Sequence, residues 1–127
     1  CRLNAEDPDH QFMPDVGTLE QLRFPTGGLG LRVDTGVAPG DKISPYYDAM
    51  IAKIIVHGQT RQAALAKMHR ALTELDVQGV KTNRDFALAL FQAPKVLAGE
   101  ADTAYLNRDF LPQWQDERKD AACSNHN

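Results

Sequence analysis

The first eight residues, Cys1-Arg2-Leu3-Asn4-Ala5-Glu6-Asp7-Pro8, set a guanidinium, an amide and a carboxylate at alternate positions. At the two-residue period of a strand, Arg2, Asn4 and Glu6 point one way and Cys1, Leu3 and Ala5 the other. A planar, permanently charged guanidinium beside an amide and a carboxylate suits a small anion or an oxyanion that develops during a reaction. The same ladder also fits a solvated arginine paired with Glu6, an arrangement worth little. Pro8 has no N–H to give a sheet and ends the strand.

Other residues invite chemistry less. Lys53 is the only charge in the apolar run from Met50 to Val56, so its ammonium must snorkel to an edge or meet a carboxylate such as Asp48. Gly27-Gly28 and Gly30 resemble a phosphate-cradling loop. They lead into a strand pattern, however, whereas such loops need a helix N-terminus directly after the glycines, so a turn with a bulge is the expected structure. His10, His57, His69 and His126 lack metal-ligand spacing, and no metal site is expected.

The elements that must hold Arg2 follow from periodicity. Thr18 to Phe24 and Leu29 to Asp34 read as strands joined by Pro25-Thr26-Gly27-Gly28, an antiparallel hairpin. Ala38-Pro39-Gly40-Asp41 suits a type II turn, and Lys42-Ile43-Ser44 a short strand. Met50 to Val56 reads as a strand buried on both faces. From Arg61 to Leu75 the period becomes helical, with Leu65, Met68, Leu72 and Leu75 on one stripe, Thr60 as N-cap and Gly79 beyond the end. A second helix should start at Thr82 or Asn83, where Asp85 three residues after Thr82 resembles a capping box, bury Phe86, Ala89, Leu90 and Ala93, and stop at Pro94. A last short helix is expected from Asp102 through Asn107. The fold class is therefore α+β, a mostly antiparallel sheet in the N-terminal half covered by two to three helices from the C-terminal half. Residues 1–112 form the expected domain. Residues 113–127 read as a polar tail, a linker or disordered, with no stripe to bury from Gln115 onward.

A chain of 127 residues with 43% apolar and 24% charged residues is one globular domain's worth. A net charge of -3 with both signs interspersed gives no basic field for nucleic acid, and no apolar run reaches the roughly 18 residues of a membrane span. Cys1 and Cys123 lie at opposite ends, which points to a reducing cytoplasm. The chain opens inside a strand with no initiator Met, and is expected to be a piece of something longer.

Four separated segments resemble one family in order. They are Cys1 to Pro8 with Phe12-Met13-Pro14 and Gly17; Pro25 with Gly27-Gly28-Leu29-Gly30-Leu31-Arg32-Val33-Asp34; Pro45-Tyr46-Tyr47-Asp48-Ala49-Met50-Ile51-Ala52-Lys53; and Gly79-Val80-Lys81-Thr82-Asn83. Together, from Cys1 to about Leu106, they resemble the C-terminal domain of biotin carboxylases. Met50-Ile51-Ala52-Lys53, and Gly99 followed by Asp102-Thr103, look more like the acyl-CoA carboxylases than the pyruvate enzyme.

The resemblance implies a longer ligase that carboxylates the ureido nitrogen of biotin on a carrier domain, using ATP and bicarbonate through carboxyphosphate. A carboxyltransferase then passes the carboxyl group to an acyl-CoA, in fatty acid or branched-chain metabolism. It matches Arg2 to the family's active-site arginine, which binds bicarbonate and stabilises the enolate-like oxyanion of deprotonated biotin. Leu29 and Arg32 match the hairpin at the subunit interface of the bacterial dimer, where the family often has phenylalanine in place of Leu29. Asn4, Glu6, Asp48 and Lys53 keep structural roles.

The family's ATP-grasp domain, which binds ATP and Mg²⁺, has no counterpart in this sequence. Nor does its biotin attachment motif, since Ala66-Lys67-Met68 lacks the flanking methionine. The chain alone is expected to bind no ATP and to be inactive. Its implied partners are the remaining biotin carboxylase domains, the biotin carrier domain, the carboxyltransferase subunit and a second copy in a homodimer. A different class of reading makes the chain a structural and docking module, in which Leu29 and Arg32 matter and Arg2 does not.

Overall fold

A computed structural model describes residues 1–46 and 48–124. Tyr47 of the Pro45-Tyr46-Tyr47-Asp48 motif, and His126 of the scattered histidines, lie outside the described residues. Short strands dominate the first half: β1 Arg2–Asn4, β2 Glu6–Asp7, β3 Met13–Pro14, β4 Gly17–Thr18, β5 Gln21–Arg23, β6 Leu31–Thr35, β7 Lys42–Ile43 and β8 Met50–Val56. Helix α1 Arg61–Glu74 precedes β9 Asp76–Gln78, followed by α2 Arg84–Leu90 and α3 Pro94–Leu97. A π-helical turn, Leu106–Phe110, leads into α4 Leu111–Ser124. All strand pairs are antiparallel, and the class is α+β.

The largest sheet has the order β1-β8-β6, and three two-stranded ribbons surround it: β2 with β3, β4 with β7, and β5 with β9. The expected hairpin between Thr18 to Phe24 and Leu29 to Asp34 does not form. That stretch is split at Leu19, which is fully buried. Its N–H donates to the Asp41 carbonyl at 2.8 Å, and its own carbonyl accepts from the Gly40 N–H at 2.7 Å. The chain bends there to seat Leu19 in the core, so β4 and β5 find different partners.

β8 has the expected bounds but not the expected double burial. Ile51, Ala52 and Ile54 are buried, while Lys53 and Ile55 are exposed. α1 packs on β8 and contributes buried Met68 and Leu72. Thr60 caps α1 by accepting from the Ala63 N–H at 3.1 Å, as the sequence predicts. α2 starts after Asn83, as expected, but the Thr82–Asp85 capping box does not form: the Thr82 hydroxyl accepts from the Arg84 N–H at 3.3 Å, and the Asp85 carboxylate accepts from the Arg84 guanidinium.

The C-terminal helices enclose a second core built on Phe86. Its ring meets Phe12, Phe110 and Trp114 edge to face, with centroids 5.0, 5.3 and 5.2 Å apart. This geometry matches the quadrupole preference of aromatic pairs. The stretch expected to be linker or disordered is instead helical to Ser124. Trp114 anchors it, and Arg118 lies over the Trp114 ring while bridging to Asp9 at 2.8 Å. A single buried tryptophan leaves no periodic stripe to read in the sequence.

Candidate functional site

Arg2 sits on β1 opposite Lys53 of β8, which in turn lies opposite Asp34 of β6. Paired residues of an antiparallel sheet share a face, so Arg2, Lys53 and Asp34 form a row across the sheet, and all three are exposed. Arg32, opposite Ile55, stands on the same face one step along and donates to Asp34 at 2.9 Å. Among the described residues, neither Arg2 nor Lys53 makes an ion pair. Glu6, the carboxylate that the sequence offers to Arg2, accepts instead from the Asn4 side-chain amide at 3.0 Å. Burial pushes the Glu6 carboxyl above its ordinary range; the Asn4 hydrogen bond opposes this and the nearby Asp48 charge adds to it. Asp48 accepts from the Met50 N–H at 3.2 Å rather than pairing with Lys53.

Residues Gly79 to Asn83 strap β1 and β2 in place. Gly79 has φ of 103°, and a Cβ there would collide with the Thr18 carbonyl oxygen, so only glycine fits. The Lys81 N–H donates to Asp15 at 2.6 Å, and its ammonium donates to Asp7 at 2.9 Å. The Lys81 hydrogen bond, helped by His10 and the Asp9 N–H, holds the Asp7 carboxyl down at about 2. Asn83 then closes the outer edge of β1. Its amide oxygen accepts from the Asn4 N–H at 2.9 Å, its amide nitrogen donates to the Arg2 carbonyl at 3.0 Å, and its backbone N–H donates to the Asn4 carbonyl at 3.2 Å. Arg84 secures the next residue by donating to the Leu72 and Thr73 carbonyls at the end of α1, at 2.7 and 3.1 Å. The sequence marks Asn83 only as a helix start. Its partners on β1 are 79 residues away or more, and local pattern carries no sign of them.

Arg2 and Arg32 thus lie on one sheet face, on the strands flanking β8. Leu29 is separate from both, 92% exposed in the loop between β5 and β6. Gly27 and Gly30 take positive φ, 76° and 74°, in a turn that enters β6. No helix follows to complete a phosphate cradle. Among the described residues, no group of three or more His, Cys, Asp or Glu side chains is placed to hold a metal ion.

Residues 1–108 match the family model described as the biotin carboxylase C-terminal domain. The chain belongs to this family. It is 46% identical over 106 residues to biotin carboxylase 1 of Bacillus subtilis, covering 84% of this chain and 23% of the relative. It is 38% identical over 126 residues to the alpha subunit of mouse mitochondrial methylcrotonoyl-CoA carboxylase, covering 97% of this chain and 18% of that one. The biotin carboxylase domain dimer of Hydrogenobacter thermophilus 2-oxoglutarate carboxylase, solved with MgADP, ADP and bicarbonate, superposes with a TM-score of 0.82 at 38% identity. That match covers 84% of this chain and 23% of the solved one. The chain therefore spans less than a quarter of each of these relatives.

Membership of the biotin carboxylase family raises the question of which bound groups these residues suit. An exposed guanidinium that makes no ion pair among the described residues fits a carboxylate-like anion. The glycine turn and the scattered acids do not fit magnesium nucleotide. No helix among the described residues is long and apolar enough to cross a membrane.

Proposed function

We propose that this chain is the C-terminal domain portion of a biotin carboxylase, the ATP- and bicarbonate-dependent ligase of an acyl-CoA carboxylase, and that Arg2 is its contribution to the active site. The observation that carries this reading is a guanidinium held on a sheet strand clamped along both edges, exposed, and paired with no carboxylate among the described residues. A fixed charge of this kind needs no proton transfer at neutral pH and stabilises negative charge where it develops. Biotin, bound on a carrier domain, supplies the ureido nitrogen that takes the carboxyl group. ATP and Mg²⁺ belong to an ATP-grasp domain outside this chain, which is inactive alone. The remaining partners are the carrier domain and the carboxyltransferase subunit. We take the domain proper as residues 1–112, against which the rest of α4 packs through Trp114, and the two free cysteines suit a reducing compartment such as the cytoplasm.

The test uses the full-length biotin carboxylase that contains this chain. Arg2→Ala should lower bicarbonate-dependent carboxylation of biotin by about 10²- to 10³-fold, the cost of removing one preorganised charge-stabilising donor, while the KM for ATP stays near its original value. An unchanged carboxylation rate overturns the reading.

One feature favours a second role for a different surface. Leu29 is an apolar side chain left almost wholly in solvent, and Arg32 is 70% exposed on the sheet edge strand nearby. Both suit the docking of a second subunit. Arg32→Glu should shift the full-length protein toward smaller species in sedimentation, and an unchanged distribution removes this role.

A further inference from the structure

We infer that Asn83 is a positioning residue for Arg2, acting as a one-residue substitute for a neighbouring strand on the open edge of β1; this inference rests on the proposed role of Arg2. In an antiparallel strand, successive residues turn their backbone groups alternately toward one neighbour and the other. Cys1 and Leu3 face β8: the Cys1 carbonyl accepts from the Ile54 N–H at 2.8 Å, and Leu3 pairs with Ala52. The Arg2 carbonyl, the Asn4 N–H and the Asn4 carbonyl face away, where a further strand would bond them. Asn83 satisfies all three, two through its side-chain amide and one through its backbone N–H. Its two side-chain bonds straddle the Leu3 position and hold the peptide planes after Arg2 and before Asn4.

The bonds matter because the register of β1 against β8 shifts between Leu3 and Asn4. The extra residue is Ile51 of β8, so the ladder that holds β1 is interrupted beside Asn4, and the bonds on the free edge of β1 hold the strand where β8 does not. Asn83 is itself held. Gly79 packs closely against the Thr18 carbonyl of β4, Lys81 bonds the strap to Asp7 of β2, and Arg84 bonds it to the end of α1. The strap thus transmits the placement of the helical half to the strand that carries the guanidinium. The amide of asparagine supplies a donor and an acceptor on one short stem, which aspartate does not.

Arg2→Ala, Asn83→Ala and the double variant of the full-length protein separate the possibilities. If Asn83 acts through Arg2, Asn83→Ala lowers biotin carboxylation by about 10- to 100-fold, with the KM for ATP unchanged, since a small misplacement of a reacting group is that costly. In the Arg2→Ala background the same substitution then has no further effect, because nothing remains to be positioned. An equal loss in both backgrounds, or no loss in either, overturns the inference. Arg2→Ala without effect on carboxylation overturns the reading of Arg2 itself, a result distinguishable from the others. Should Asn83→Ala fail to fold, Asn83→Asp serves in its place. It keeps the acceptor for the Asn4 N–H and sets an oxygen against the Arg2 carbonyl, so it must also lose carboxylation only when Arg2 is present.

Discussion

The two edges of the β1-β8-β6 sheet are finished in opposite ways. The β1 edge is closed by Asn83 and by the strap behind it. The β6 edge has a strand neighbour on one side only, carries the exposed Arg32–Asp34 pair, and follows a loop that exposes Leu29. An edge strand with free backbone groups is a template for pairing and is usually covered or charged. Here one edge is covered from within the chain and the other is only charged. The closed edge fixes the strand that carries Arg2, as the chemistry proposed for it requires. The open edge leaves surface for another molecule.

Substitutions that break this contrast should differ in size. Gly79→Ala has the largest expected effect on the fold, because it sets a methyl group into the Thr18 carbonyl at a positive φ. A loss of about 1–3 kcal/mol, or more if the strap cannot shift, should appear as a lowered unfolding midpoint of the full-length protein. A midpoint equal to the original would mean that the strap does not hold the closed edge.

Asp7→Asn comes next, and its effect depends on pH. The folded Asp7 carboxyl lies at about 2, below its ordinary value, so its contribution is present above the unfolded pKa and lost as pH falls through the folded one. The original protein should lose this part of its stability between about pH 4 and about pH 2, and Asp7→Asn should flatten that segment of the melting profile. An identical acid profile would show that the Lys81–Asp7 contact does not fasten the strap. Smallest in stability is Arg32→Glu on the open edge, expected within about 0.5 kcal/mol of the original because the side chain is exposed. Its effect should be on assembly alone.

Much of the framework was legible in the sequence because it depends on local period. β8 and α1 followed from the apolar run and the helical stripe, and Thr60 from its place before that stripe. Arg2 was legible as an outward residue because alternation from Cys1 to Glu6 settles the face. Pairing was not legible. β5 joins β9 rather than β6 because Leu19 must enter the core, and that preference arises only when distant segments meet. α4 is not legible because Trp114 is its one buried residue, seated on a Phe86 cluster assembled from three parts of the chain. Asn83 is legible as a helix start and does precede α2, but nothing local shows that its side-chain amide serves a strand.

The most direct measurement is transfer of labelled bicarbonate to biotin by the full-length protein with Arg2, Arg2→Lys and Arg2→Ala compared side by side. Lysine keeps the charge but loses the planar fork, so the rate for Arg2→Lys should fall between the other two, with Arg2→Ala lowest. Three equal rates would contradict a role for this guanidinium in the reaction.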